Sequence, residues 1–489
     1  MSSKFEEKQT VAEDDSSQEV NEPIEPISNA SDLEEEKQRT THEFYAQGNT
    51  ATTQIFIGHL GAMNLDPWQK KNATSEQTVD QTYFLHTRKG CKAFVERYKN
   101  SEHLAVAIVL SVFGLVYLGD LYELNKLLME ELPDATATGE DIPPARDPYI
   151  SVDTYLSTIG GKWFTSQESK QYVGLGENAQ KALQNFWEQF PALRDPICRW
   201  LVRLCRAYKV RTTFDAYQMV CAFARVACLD FEDARKRIFS RLYSNPGNVG
   251  LLGNLVCKLY EESSLREELE ELLRNWLGAR GSWLWRPACL ACSFLIPGLN
   301  DGQFGPILER AVYLRLNRLT KNDSTFLAIL MLQSEYFRSL LIRLLARMVQ
   351  KAGNHMERLV VAQTYLYLLR GCYYLVDAQR PELPLAACDT KEQQQTLTPI
   401  LARVMSQVGL RKQLYAILRA YLKELDRYQY SNYLFNHLCA YFYNLTQANS
   451  ICWPDILEFL SSCRGKLGQQ LFERMLSMYR CTRQLPSPP

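Results

Sequence analysis

No apolar run of membrane-spanning length occurs in this chain of 489 residues. The nearest, Leu104 to Leu118, has fifteen residues, where a spanning helix needs roughly eighteen or more. It leads into Gly119-Asp120 and an amphipathic segment, so it reads as a buried helix and gives no membrane partner. The charged start MSSKFEEKQTVAEDD is followed by no apolar h-region, which argues for a cytoplasmic chain. Histidine is scarce. His42, His59, His86, His103, His355 and His437 are scattered without an HExxH or His-x-His pairing, which leaves metal hydrolysis without a ligand set.

Catalytic signatures are missing as well. No GxxxxGK[ST] occurs to cradle phosphate, and Gly160-Gly161-Lys162-Trp163 has neither the earlier glycine nor the following Ser or Thr, so it reads as a turn. Gly174-Leu175-Gly176 has no third glycine and no βαβ setting, which argues against a dinucleotide fold. No GxSxG elbow presents a serine. No catalytic residue, cofactor or metal is therefore assigned, and a non-enzymatic role is favoured over a site assembled from distant helices. Fourteen cysteines in a cytosolic chain stay reduced and act as small core hydrophobes. Cys198 and Cys205, like Cys221 and Cys228, share a helix face. Cys289-Leu290-Ala291-Cys292 has no companion CxxC or finger-spaced His, so buried thiols fit it better than zinc.

What is present is core material and helical period. Hydrophobic residues make up 46% and charged residues 22%, enough to offset the ordering entropy of a large helical body. The 55 basic and 55 acidic residues balance, but unevenly. Residues 1–45 hold thirteen Asp or Glu against four Lys or Arg, and with Glu22-Pro23-Ile24-Glu25-Pro26 and few aromatics they read as a disordered acidic tail. The rest is mildly basic, short of the concentrated charge of a nucleic-acid protein.

Residues 46–74 read as a linker in which Thr53-Gln54-Ile55-Phe56-Ile57 alternates like a strand. Residues 75–131 read as an N-terminal helical unit, with Leu121, Leu124, Leu127 and Leu128 on one face. A loop-rich connection over 132–176 carries the Pro-rich LPDATATGEDIPPARDPYI. A helical-repeat-like region over 177–300 and a C-terminal helical region over 301–483 follow. In the last, helices are expected near 303–318, 323–350, 355–378, 391–408, 411–427, 429–446, 454–463 and 466–480. No β-rich block and no fixed period is visible, so the expected fold is all-α, an irregular superhelix of stacked hairpins.

Two stretches are candidate contact surfaces. Gln54, Ile55, Phe56 and Ile57 put apolar side chains on both faces of a short strand, which favours docking on the helical body or on a partner's sheet edge. Arg199, Arg203 and Arg206, at steps of four and three, share one helix face, with Ile197, Trp200, Leu201, Leu204 and Tyr208 opposite. With Lys209, Arg211, Arg225, Arg235, Lys236, Arg237 and Arg241 near in sequence, that face suits phosphates, an acidic protein or the acidic tail. A solvated face paired with Glu188, Glu232 and Asp233 is the plainer reading. The tyrosines at 365, 367, 373, 374, 428, 430, 433, 441 and 443 are mostly core by spacing, with some left for a groove wall.

Ala182-Leu183-Gln184-Asn185-Phe186-Trp187-Glu188-Gln189-Phe190-Pro191-Ala192-Leu193-Arg194, with the later Trp200-Leu201, resembles helical regions downstream of the ATPase core in large bacterial STAND-type signalling and defence NTPases. Leu104 to Leu128 is similar to the small helical unit that follows their nucleotide-binding domain. The Walker motifs that define the family are absent, so nothing catalytic carries over. The resemblance implies a sensor-like or accessory helical arm that binds a protein partner.

Overall fold

The computed structural model describes residues 33–34, 37, 69–70, 82–99, 101–132, 152–165, 170–207, 213–279, 282–295, 301–376, 391–428, 430–448 and 452–484. The chain divides into two compact units. One comprises residues 38–312 and 330–340, and the other residues 1–37, 313–329 and 341–489. The fold is all-α.

The first unit holds β1 (Gln69–Lys70), α1 (Arg88–Tyr98), α2 (Glu102–Phe113), β2 (Leu115–Tyr117), α3 (Leu118–Met129), α4 (Val152–Ile159), β3 (Lys162–Thr165) and β4 (Gln171–Gly174). It continues with α5 (Ala179–Gln189), α6 (Arg194–Ala207), α7 (Thr213–Ala227), α8 (Phe231–Leu242), α9 (Val249–Tyr260), α10 (Arg266–Gly278) and α11 (Trp285–Leu295). Within α8 the turn Arg235–Phe239 widens to a π-helix. Asp230 caps the helix, its Oδ1 accepting from Asp233 N at 3.0 Å.

The apolar run supplies the core helix of this unit. Every residue of α2 from Leu104 to Phe113 is buried, with α1, α3, α5 and α7 packed around it. No helix among the described residues is long and apolar enough to cross a membrane.

The run does not stay helical to Leu118. Gly114, at φ +73°, ends α2, and the chain turns out into β2, which enters a four-stranded sheet of order β1-β3-β4-β2. All three pairings are antiparallel, with Val173 opposite both Val116 and Trp163. No β-rich block is expected from the sequence, and the strands are short; the described part of 132–176 holds the helix α4 and the hairpin of β3 and β4. Two glycines make the corner. A Cβ on Gly174 would stand 2.1 Å from the Gly114 carbonyl oxygen, and one on Gly114 would meet the Arg225 guanidinium at 2.9 Å, so only bare backbone fits. Leu175 N then donates to that same Gly114 carbonyl at 3.1 Å.

α12 (Asp301–Leu316), α13 (Lys321–Gln333) and α14 (Glu335–Lys351) come next, then α15 (His355–Tyr374), α16 (Lys391–Ser406), α17 (Val408–Leu425), α18 (Asn432–Ala448), α19 (Cys452–Ser462) and α20 (Lys466–Gln484). The single helix expected over 323–350 is two, broken at Ser334, whose Oγ accepts from Phe337 N at 3.4 Å. Elsewhere in this stretch the expected helices agree with the observed ones to within a few residues. In the second unit α15 packs on α16 and α17, α16 on α18, and α18 on α20. Tyr365 and Tyr441, both fully buried, satisfy one another through their hydroxyls at 2.9 Å. The three described tail residues, Leu33, Glu34 and Lys37, are helical and belong to this unit.

Candidate interaction surface

Gln54, Ile55, Phe56 and Ile57 lie outside the described residues. Tyr208, Lys209 and Arg211 also lie outside them, but Arg199, Arg203 and Arg206 are described, and α6 builds their row as its sequence implies. Ile197, Trp200, Leu201 and Leu204 are fully buried, which turns the Arg199, Arg203 and Arg206 row outward. Trp200 Nε1 donates to the Leu124 carbonyl of α3 at 3.2 Å, so the C-terminal end of α3 is held beside this row.

That end carries two carboxylates. Arg199 Nε donates to Glu131 Oε2 at 3.0 Å, and Arg203 reaches Glu131 Oε1 at 3.3 Å and Glu130 Oε2 at 2.5 Å. One turn earlier on α6, Asp195 accepts from Arg199, from Arg237 at 3.2 Å and from Arg241 at 3.3 Å. Arg237 also donates to Asp233 Oδ1 at 2.6 Å, and its guanidinium is held above its usual range chiefly by that bond. Four guanidiniums therefore face four carboxylates, on three helices. The expected pairing with Asp233 is present, while Glu188 pairs instead with Arg88 at 2.7 Å.

The result is a neutral clasp. At this exposure each pair contributes little stability, yet the network consumes the charge that phosphates would need. Arg206 and Lys236 are exposed beyond it. Arg225 is turned inward: its Nη1 donates to the Val112 carbonyl at 2.9 Å, capping the C-terminal end of α2, where the helix dipole favours a cation. Burial pushes its pKa down. No feature of sequence separates Arg225 from its solvent-facing neighbours, because the position of α2 is a tertiary fact.

Burial keeps several of the thiols protonated. Cys289 and Cys292 are fully buried, and burial raises the Cys292 thiol to about 12. Cys198 and Cys205 are likewise pushed up to about 12 by burial, far from the thiolate a nucleophile or metal ligand requires. Of the spaced pairs, Cys198 and Cys221 are buried, whereas Cys205 is half-buried and Cys228 exposed. His103, stacked on Tyr98 at 4.4 Å and edge-on to Tyr155 at 4.5 Å, has its pKa lowered by burial, with Glu102 opposing.

A different surface escaped sequence reasoning. Met356 and Val360, one turn apart on α15, are 65% and 44% exposed. Two residues before the Leu316 carbonyl that Thr364 Oγ1 of α15 approaches at 3.5 Å, Leu314 is 53% exposed. Only the short step from Met356 to Val360 signals this in sequence, and it looks the same as a core stripe.

The class these features define is an all-α protein with a small antiparallel sheet. No family model matches the chain, and no curated protein does. Among solved structures it is similar to an engineered protein from the Northeast Structural Genomics Consortium, at 14% identity over 62% of this chain and 84% of that one, with a TM-score of 0.24.

Proposed function

We propose that this chain is a non-catalytic helical adaptor or sensor-like protein of the cytoplasm that works by binding a protein partner. The observation that carries the reading is the exposed apolar pair Met356 and Val360 on α15. A same-face apolar pair left in water on a helix whose next turns are buried suits the anchor of a helix-in-groove or helix-on-helix contact. The resemblance of residues 182–194 to STAND-type helical regions supports a place beside a bacterial signalling or defence NTPase.

Affinity capture from the native cytosol with mass spectrometry tests this. A stoichiometric partner is expected with the full chain. It should be lost with Met356→Asp combined with Val360→Asp, and weakened by deletion of residues 47–65. A partner set identical for all three chains overturns the reading. Nucleic-acid binding is the alternative the arginine row suggests; after the carboxylate pairing it rests on Arg206 and Lys236, and a mobility shift with a steep salt dependence is the result that would favour it.

A further inference from the structure

Leu33, Glu34 and Lys37 make specific contacts with the second unit. Leu33 is 1% exposed. Lys37 Nζ donates to the Val376 carbonyl at 2.8 Å, just past the C-terminal end of α15, where unpaired carbonyls and the helix dipole favour a cation. The same ammonium lies 3.7 Å from Glu424 Oε1 on α17 and 5.0 Å from the centroid of the Tyr373 ring. Glu34 accepts from Lys423 Nζ at 2.7 and 2.9 Å.

These contacts have a register. In helical conformation Leu33 and Lys37 are one turn apart with Glu34 beside them, so the three share a face. On the receiving side Lys423 and Glu424 are consecutive, and each meets the opposite charge. A segment with its charges exchanged would set Glu against Glu424 and Lys against Lys423, so the slot discriminates by repulsion as well as attraction. Glu424 is already engaged by Arg427 at 3.1 Å and by the Tyr428 hydroxyl at 2.8 Å, which fixes its carboxylate in place before Lys37 arrives.

Among the described residues of the segment, Leu33 is the apolar anchor, and the Lys423 side chain that meets Glu34 is 57% exposed. The segment is drawn from a stretch of thirteen acidic and four basic residues, and because it belongs to the same chain it meets the slot at a raised effective concentration. We propose that the slot formed by the C-terminal end of α15 and by Lys423-Glu424 of α17 is a docking site for a helical peptide. Its ligand carries an apolar residue, a Glu next to it and a Lys four positions after the apolar one. Leu33, Glu34 and Lys37 are its tethered, displaceable occupant, and a partner segment of the same chemistry replaces them. Only that last replacement rests on the partner-binding reading.

The test uses the full chain and a fluorescent peptide of native sequence spanning residues 28–42. In the variant Leu33→Asp/Lys37→Glu the slot is vacated, and the peptide is expected to bind saturably, at least tenfold tighter than to the wild-type chain, whose slot is filled. A peptide carrying Leu33→Asp should not bind. Adding Lys423→Glu to the vacated chain should weaken the native peptide at least fivefold, and a peptide carrying Glu34→Lys should recover the loss. Matching thermal midpoints establish that each variant is folded. Equal binding to the wild-type and vacated chains, equal binding of native and Leu33→Asp peptides, or no binding to the vacated chain overturns the proposal. The readout is independent of Met356 and Val360, so failure here and failure of partner capture are separate results.

Discussion

The two units are built by different rules. In the first, α2 is buried from Leu104 to Phe113 and contacts join parts of the chain far apart in sequence: β4 pairs with β2, Arg225 caps the last turn of α2, and Asn185 Nδ2 donates to the Leu85 carbonyl at 2.8 Å across 100 residues. In the second, helices pack mostly on the next one or two along the chain, with α17 on α20 three apart and the tail residues docking from afar. Where contacts are local, the helical period reveals the architecture; where they are distant, single residues such as Gly114 decide it.

The sharpest way to break the first unit is Trp200→Ala, which empties a fully buried site and removes the hydrogen bond to Leu124. It should cost about 3–5 kcal/mol, read by denaturant unfolding, and the transition of the second unit should move less. Next is Gly114→Val, which forces a side chain into φ +73° and against Arg225, for about 1–3 kcal/mol. Its control lies in the other unit. Gly409→Ala, in the first turn of α17 with no atom within 4 Å of its added Cβ, should be neutral or stabilising by up to about 1 kcal/mol.

Tyr365→Phe probes the second unit by deleting the buried hydroxyl pair with Tyr441. A loss of about 1–2 kcal/mol is expected, and adding Tyr441→Phe should cost less than a second full step because the two hydroxyls share one bond. The smallest effect is a pH dependence confined to the first unit. The folded pKa of His103 is lowered by burial, so the unfolded chain takes up its proton first as pH falls. Stability should therefore be complete above about 6.5, decline as pH drops from there through the folded pKa, and level off below it. His103→Phe should abolish that step in a series of unfolding curves; an unchanged step would assign the titration to another group.

Much of this was readable in advance. The C-terminal helices follow from apolar spacing and breakers, and the 104–118 run was correctly a buried helix as far as Phe113. The sheet was not readable, because strands of two to four residues are too short for alternation to show, and Gly160, Gly161, Gly174 and Gly176 gave β3 and β4 the look of a loop. Lys162-Trp163-Phe164-Thr165 facing Tyr172-Val173 was the available signal. On the arginine face, the row itself and the local Asp195–Arg199 pair were visible, but Glu130 and Glu131 reach the row, and Arg237 and Arg241 reach Asp195, only through the packing of α3, α6 and α8.

Composition and period by themselves determined that the chain is helical, that α2 is buried and that the tail is acidic, because these follow from how residues partition between water and a core. Which charges neutralise each other, where the apolar run stops being helix, and where Leu33 and Lys37 dock were decided by tertiary structure alone. Apart from the local pairs Asp195–Arg199 and Asp233–Arg237, these depend on groups tens or hundreds of residues apart being brought within a few ångströms, and no local pattern in the sequence encodes that distance.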